Sequence, residues 1–173
     1  MKQPGPLTLS EDDRRVLAVW AAECAEQTLP VFEAHAAGDT RPRDAVEGAR
    51  AFARGALNIG PARALAAQAH AAAREVGDPA ATAAARAAGH AVAVAHMASH
   101  ALGAPAYAAR AAAMAHPDDP SAASAVVNQA DNQATASVRA VLRKLPQRTK
   151  APGPLGSLIL ELQNRLTGTI RDG

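Results

Sequence analysis

Aromatic side chains are almost missing from this sequence. Of its 173 residues, 2% are aromatic, namely Trp20, Phe32, Phe52 and Tyr107. Hydrophobic residues make up 49%, and most of them are alanine. Because alanine is the best helix former and lets helix backbones approach closely, we expect a single domain stabilised by many tight helix contacts rather than by large side chains.

Other scarcities exclude several classes of protein. The single cysteine, Cys24, excludes an internal disulfide and suits a reducing cytoplasm. No apolar stretch approaches the ~18 residues that span a bilayer, and the opening MKQPGPLTLSEDDRR lacks the apolar core of a signal peptide. The net charge is only +2, without a basic run interleaved with aromatics. We therefore expect a soluble cytoplasmic protein that binds neither nucleic acid nor membrane.

Catalytic motifs are missing as well. No serine lies in a G-x-S-x-G turn, and no glycine loop of the phosphate-binding or dinucleotide-binding type occurs. Cys24 shares a helical stripe with Trp20, so we expect a small core residue rather than a nucleophile. The sequence predicts no catalytic residue, no cofactor and a protein that is not an enzyme.

What the sequence does contain is helix. Every long segment has helical periodicity, and none alternates in the manner of a strand. The first helix should begin after Ser10, whose hydroxyl can cap free backbone amides. Gly55 and Gly77 should end two later helices. The longest helix should begin after Asp78 and continue to about Gly103.

Three prolines suggest how the helices are grouped. Pro42, Pro79 and Pro120 each follow a polar turn, where proline is well placed to open a helix. Each would begin a pair of helices. The sequence predicts an all-α fold of about seven helices, arranged either as stacked antiparallel hairpins or as a compact bundle.

The chain divides into four predicted parts. We expect a flexible N-terminus over residues 1–9, a helical domain over 10–146, a loop over 147–154 and a C-terminal helix over 155–173. That last helix is amphipathic, with leucines and an isoleucine on one side. Its apolar side should pack either on the same domain or on a partner chain, so a homodimer remains open.

Three histidines stand out in the segment AGHAVAVAHMASHALG. In a continuous helix, His96 and His100 would lie about 40° apart on one face. His90 would lie on another face with Val94 and Met97. Met97 also occupies the position where a zinc protease needs glutamate, and no third ligand is evident, so we predict no metal site. Structural roles and partner binding remain open for these histidines.

The segment GDTRPRDAVEGARAFARG is the most distinctive charged part of the sequence, and we call its first part, with Asp39, Arg41 and Arg43, the polar turn. Arginine can grip a partner's carboxylates or phosphates in a bidentate way. Equally, Arg41 or Arg43 could tie the turn to acidic residues of the protein itself, including Asp39. We take Asp39, Arg41 and Arg43, together with His96 and His100, as candidate partner-binding residues.

Two segments in the same order resemble a bacterial immunity protein family, the immunity protein five-like domain of polymorphic toxin systems. They are WAAECAEQTLPVFEAHAAGDTRPRDAVEGARAFARG over residues 20–55 and ARAAGHAVAVAHMASHALGAPAYAARA over residues 85–111. The resemblance covers roughly residues 10–145. The positions that carry it are Trp20, Cys24, Pro30, Phe32, Glu33, Asp39, Arg41, Pro42, Arg43, Gly55, Gly89, His90, His96, His100, Gly103, Ala104 and Tyr107.

The resemblance implies an all-helical domain that neutralises a cognate toxin by stoichiometric, non-catalytic binding. The segment NQADNQA departs from the family's pattern, which puts a shared binding surface on that helix in doubt. Two other interpretations remain. One is a helical bundle that binds a metal or small ligand through His96 and His100, and the other is a scaffold that self-associates through its C-terminal helix.

Overall fold

The computed structural model describes residues 9–168, which form nine α-helices, one 3₁₀ helix and no strand. The 3₁₀ helix, Ala98–Leu102, directly precedes the sixth α-helix. The α-helices are α1 Glu11–Glu26, α2 Leu29–Glu33, α3 Arg41–Ala53, α4 Ile59–Glu75, α5 Pro79–Ala93, α6 Gly103–Ala115, α7 Ala122–Gln133, α8 Ala136–Leu142 and α9 Gly153–Thr167.

Several helix boundaries follow from local chemistry, as predicted. The Ser10 hydroxyl caps α1 by accepting a hydrogen bond from the Asp13 amide at 3.1 Å. Asp78 caps α5 in the same way, through the Ala81 amide at 2.8 Å. Gly55, just beyond α3, has a φ of 73°, a left-handed conformation that L-residues rarely adopt. These predicted starts and stops are confirmed.

The number of helices exceeds the predicted seven because two expected helices are divided. The Thr28 hydroxyl donates to the Ala25 carbonyl at 3.0 Å where α1 ends, and α2 then begins at Leu29. Ala134 is extended after α7, and the Thr135 hydroxyl caps α8. Side chains that hydrogen-bond nearby backbone compete with continuation of a helix, and both divisions occur beside a threonine.

The helix that begins after Asp78 does not continue to Gly103, so its predicted end is wrong. It ends at Ala93, and Met97 is extended, with φ −149° and ψ 97°. A continuous helix of that length would project about 37 Å at 1.5 Å per residue. The break instead lets α6 fold back on α5, so that the alanines of both helices are buried against each other.

Helix α5 is the centre of the fold. It contacts α1, α2, α3, α4 and α6, whereas stacked hairpins would contact only their neighbours. The arrangement is therefore a bundle around α5. On α5 only Pro79, Thr82, Arg86 and His90 escape full burial.

The two ends of the described chain pack on this bundle. Leu9 is buried in the core, while the rest of the N-terminal segment predicted to be flexible lies outside the described residues. Helix α9 packs against α6 and α8, with Leu162 and Leu166 buried. The end of the predicted C-terminal helix, residues 169–173, also lies outside the described part. Within residues 9–168, no helix has the length and apolar character needed to cross a bilayer.

Candidate functional site

Four histidines form a cluster where α4, α5 and the turn before α6 meet. His90 lies on the last turn of α5, His100 in the 3₁₀ helix, and His96 in the turn between them. His70 comes from α4, and its ring centroid is 5.5 Å from that of His90. We call these four residues the histidine cluster.

His90 and His100 form the closest pair of the cluster. Their Nδ1 atoms are 3.0 Å apart, and the two rings meet edge to face with centroids 4.6 Å apart. A hydrogen bond between two imidazole nitrogens needs one donor and one acceptor. The pair therefore cannot hold a proton on both Nδ1 atoms at once.

The surroundings of the cluster keep its members neutral. Burial, followed by the nearby charges of His100, His70 and Arg86, lowers the pKa of His90 to about 3. Burial is also the main cause that lowers the pKa of His70, of His96 and of His100. At neutral pH these are uncharged imidazoles, which can accept a proton or a hydrogen bond but supply no positive charge.

Two ring nitrogens of the cluster have no partner. The Nδ1 atoms of His70 and His96 are buried without a hydrogen bond. Metal binding through His96 and His100, whose ring centroids are 6.2 Å apart, would need further ligands. Among residues 9–168, no group of three or more His, Cys, Asp or Glu side chains is arranged to hold a metal ion.

The geometry predicted for the histidines is wrong. We expected His96 and His100 to share a helical face away from His90, but the helix breaks between His90 and His96. As a result His90 pairs with His100. Met97, expected on the apolar stripe with His90, is 50% exposed.

Two residues at the cluster were not predicted from the sequence. His70 was not singled out, nor was Arg86, one turn before His90 on the same stripe of α5. The signal for Arg86 is the spacing of four between Thr82, Arg86 and His90 in a helix otherwise built of small and apolar residues. Nothing in that spacing points to His70, which comes from α4. Side chains spaced by four residues lie on one helical face, so this pattern marks the face of α5 that reaches the surface.

The candidate residues of the polar turn are tied to the protein itself. Arg41 bonds both Asp39 and Glu75 at 2.6 Å, which joins the start of α3 to the end of α4. Hydrogen bonds from Arg41 are the main cause that lowers the pKa of Asp39. Arg43 pairs with Glu33 at 2.6 Å. The turn therefore has its own carboxylate partners in the free protein.

Cys24 occupies the core position that the sequence predicts. Its side chain is fully buried, and burial raises the pKa of the thiol. Since the thiolate is the reactive form of cysteine, a buried neutral thiol is a poor nucleophile. Cys24 therefore contributes packing rather than chemistry.

Gly103→Ala should disrupt the His90–His100 pair and lower the free energy of unfolding by about 1–3 kcal/mol, the usual range for overpacking. The backbone at Gly103 is helical, so alanine itself fits the conformation. However, a Cβ placed there would overlap Nδ1 of His90. The ring cannot move freely, since it is packed against His70, His100 and Tyr107. Urea unfolding measures the loss.

Gly60→Ala is the matched control, because Gly60 lies in α4 and a Cβ there meets nothing within 4 Å. That variant should be neutral or stabilised by up to about 1 kcal/mol through helix propensity. Removing the ring in a His90→Ala and Gly103→Ala double variant should relieve the overlap and make the two effects non-additive. Strictly additive effects would contradict the proposed clash.

Comparison with known proteins identifies one related family. A family model described as Imm-5 like putative immunity protein matches residues 7–139. The matched span includes the polar turn and the whole histidine cluster, and it ends before α9. No curated protein and no solved structure matches the chain.

Proposed function

Because the chain belongs to the family of Imm-5 like putative immunity proteins, we propose that it neutralises a cognate toxin by binding it stoichiometrically, without catalysis. The family match over residues 7–139 is the observation that carries this proposal. An immunity protein has to act in the compartment where the toxin would harm the cell that produces it. We propose that this compartment is the cytoplasm. The lone reduced cysteine, Cys24, is compatible with that location.

We assign the main toxin contact to the turn from His96 to His100. Within this turn, Met97 is one of three exposed large apolar side chains among the described residues, together with Val19 and Met114. Methionine is enriched at protein interfaces, and its flexible side chain adapts to a partner's surface. His96 and His100 flank it as partly buried neutral imidazoles that can form hydrogen bonds with the toxin.

The second candidate contact is the polar turn of Asp39, Arg41 and Arg43. A toxin that engages these arginines has to compete with Asp39, Glu75 and Glu33. Because exchange of one carboxylate for another gains little, we expect this turn to contribute to the rim of an interface rather than to its anchors. It lies near the start of α5, where His35 approaches Asp78, whereas Met97 follows the end of α5.

The proposal is tested by co-expressing this protein with each protein encoded by the adjacent genes and identifying the one that is toxic when expressed alone. Co-expression should restore growth, and light scattering should report a complex with equal numbers of the two chains. The mass of the free protein in the same measurement reports whether it forms a homodimer, the possibility raised by its amphipathic C-terminal helix. If the wild-type protein neither restores growth nor binds the toxin, the immunity proposal is wrong.

Met97→Asp should weaken toxin binding by about 30-fold or more, the effect of losing one interface anchor worth about 2 kcal/mol. Val19→Asp is the matched control, since Val19 is also an exposed apolar residue, 43% exposed, but lies on α1. An Arg41→Gln and Arg43→Gln variant tests the polar turn. Full affinity in Met97→Asp, with lost affinity in the arginine variant, would move the main contact to that turn.

A further inference from the structure

A groove beside the histidine cluster collects three arginines. Arg74 comes from the last turn of α4, Arg86 from α5 and Arg110 from α6, while Tyr107 of α6 and Leu155 of α9 complete its sides. Its volume is about 690 Å³, within the range of small-ligand sites. We call it the arginine groove.

Two arginines of the groove, Arg86 and Arg110, have no carboxylate partner in the described part of the chain, whereas Arg74 lies near Glu75, whose pKa is lowered mainly by Arg41 and also by the charge of Arg74. No aspartate or glutamate lines it, and within the described part of the chain its three arginines form no ion pair or hydrogen bond. Elsewhere, the comparably buried guanidinium groups of Arg50 and Arg139 are paired with carboxylates. Arg86 and Arg110 are themselves partly buried. Arginines in such a position gain from a counter-ion, and no carboxylate among residues 9–168 pairs with Arg86 or Arg110.

The effect of this charge reaches the histidine cluster. After burial, the charges of Arg86 and Arg74 lower the pKa of His70 further, and Arg86 acts on His90 in the same direction. The histidines therefore stay neutral and add no positive charge of their own to the groove. The groove presents three guanidinium groups beside uncharged imidazoles, a strongly positive local field.

The remaining lining suits the organic part of a ligand. Leu155 and Met114 supply apolar contact area, and the Tyr107 ring lies 4.9 Å from that of His90. The planar arginine fork matches phosphate and carboxylate groups bidentately. A ligand with two or three negative charges would match the charge of the groove.

We propose that the arginine groove binds a small organic polyanion that carries two or more phosphate or carboxylate groups. Arg86 and Arg110 grip the anionic groups, and Arg74 at the rim adds attraction. The concave shape and the partly buried arginines favour a small molecule over an acidic protein segment, which would pair with fully exposed charges. This site is independent of the immunity proposal, since it needs no toxin.

Isothermal titration with pyrophosphate and with citrate, each at constant ionic strength, tests the site. We expect saturable binding of at least one of them. Binding of pyrophosphate alone identifies phosphate as the recognised group, and binding of citrate alone identifies carboxylate. The pKa of His70, followed by NMR, should rise when the ligand binds, because the anion offsets the charge of Arg86 and Arg74.

Arg86→Gln and Arg110→Gln should each weaken binding by about tenfold or more, the effect of losing one charge-assisted contact. An Arg54→Gln and Arg63→Gln double variant is the matched control, because both arginines are exposed, lie outside the groove and lack an ion pair. It removes two charges without touching the site, so it should bind as the wild type does.

Two results would overturn the proposal. One is that neither pyrophosphate nor citrate binds; if a polyglutamate peptide then binds, the groove is a docking surface for an acidic protein. The other is that the control variant loses affinity as much as the groove variants, because the effect would then be one of net charge. Toxin neutralisation can succeed or fail separately from each of these results.

Discussion

Trp20→Ala should lower the free energy of unfolding by about 3–5 kcal/mol, the usual cost of truncating a large buried aromatic side chain. Trp20 is 1% exposed and is the only tryptophan of the chain. The core around it is built mainly of alanines, which cannot extend into the space that its ring leaves. The variant should therefore retain a cavity rather than repack.

Trp20 also supplies a hydrogen bond that nothing nearby replaces. Its indole Nε1 donates to the Ala130 carbonyl at 2.9 Å, which connects α1 with the end of α7. The last four carbonyls of a helix lack intrahelical partners, and Ala130 is among them. Loss of the indole leaves this buried carbonyl unsatisfied, at a cost of about 1–3 kcal/mol.

Urea unfolding followed by circular dichroism measures the effect, since the variant lacks the only tryptophan for fluorescence. Trp20→Phe keeps most of the apolar volume and removes the donor, so it should fall between the wild type and Trp20→Ala. Val19→Ala, the adjacent and partly exposed position, should change stability by about 0.5 kcal/mol or less. Equal losses at Trp20 and Val19 would contradict a core role for the indole.

Local chemistry made much of the fold predictable. A hydroxyl or carboxylate before a run of alanines, as at Ser10 and Asp78, fixes a helix start whatever the rest of the chain does. Glycine in the left-handed conformation, as at Gly55, fixes a helix end for the same reason. These boundaries depend on a few adjacent residues and could therefore be predicted without tertiary information.

The break after Ala93 could not be predicted in this way. Its residues favour helix nearly as well as those on either side, so propensity gives no reason to stop there. The advantage of stopping is tertiary, because α6 then packs on α5 and brings His100 against His90. The sequence singled out His90, His96 and His100, but it placed all three in one helix, and their pairing depended on this break.

Contacts between charged residues that are far apart in the sequence could not be predicted either. The sequence raised the possibility that Arg41 binds acidic residues of the same protein, and Asp39 was an evident partner because it is two positions away. Glu75 was not, since 34 residues separate it from Arg41. The arginine groove went unnoticed for the same reason, because α4, α5 and α6 each contribute one arginine. Only the fold places these three charges together.

Acid should destabilise the protein below about pH 6.5, the ordinary pKa of histidine. In the folded state the pKa values of His70, His90, His96 and His100 are lowered, so the folded protein binds fewer protons than the unfolded chain. Acid therefore favours unfolding, and stability falls as the pH drops from about 6.5 toward the folded-state pKa values.

His90 alone accounts for about 2 kcal/mol between pH 7 and pH 5, because each pKa unit between the unfolded value and the pH contributes about 1.4 kcal/mol. For this residue the loss continues down to the folded-state pKa of about 3. The other three histidines act in the same direction. Glu26 and Asp39, whose pKa values are lowered, stay ionised across this window and do not contribute.

Urea unfolding at about pH 7 and about pH 5 measures this dependence in the wild type and in His90→Gln. The variant loses the bond to His100 at every pH, so its absolute stability does not test the prediction. The measured quantity is the difference in the free energy of unfolding between the two pH values, which should be about 2 kcal/mol smaller in the variant than in the wild type. His116→Gln, at an exposed histidine outside the cluster, should keep the wild-type difference. A wild-type stability that is equal at both pH values would contradict the lowered pKa of His90, whose main cause is the burial of its ring.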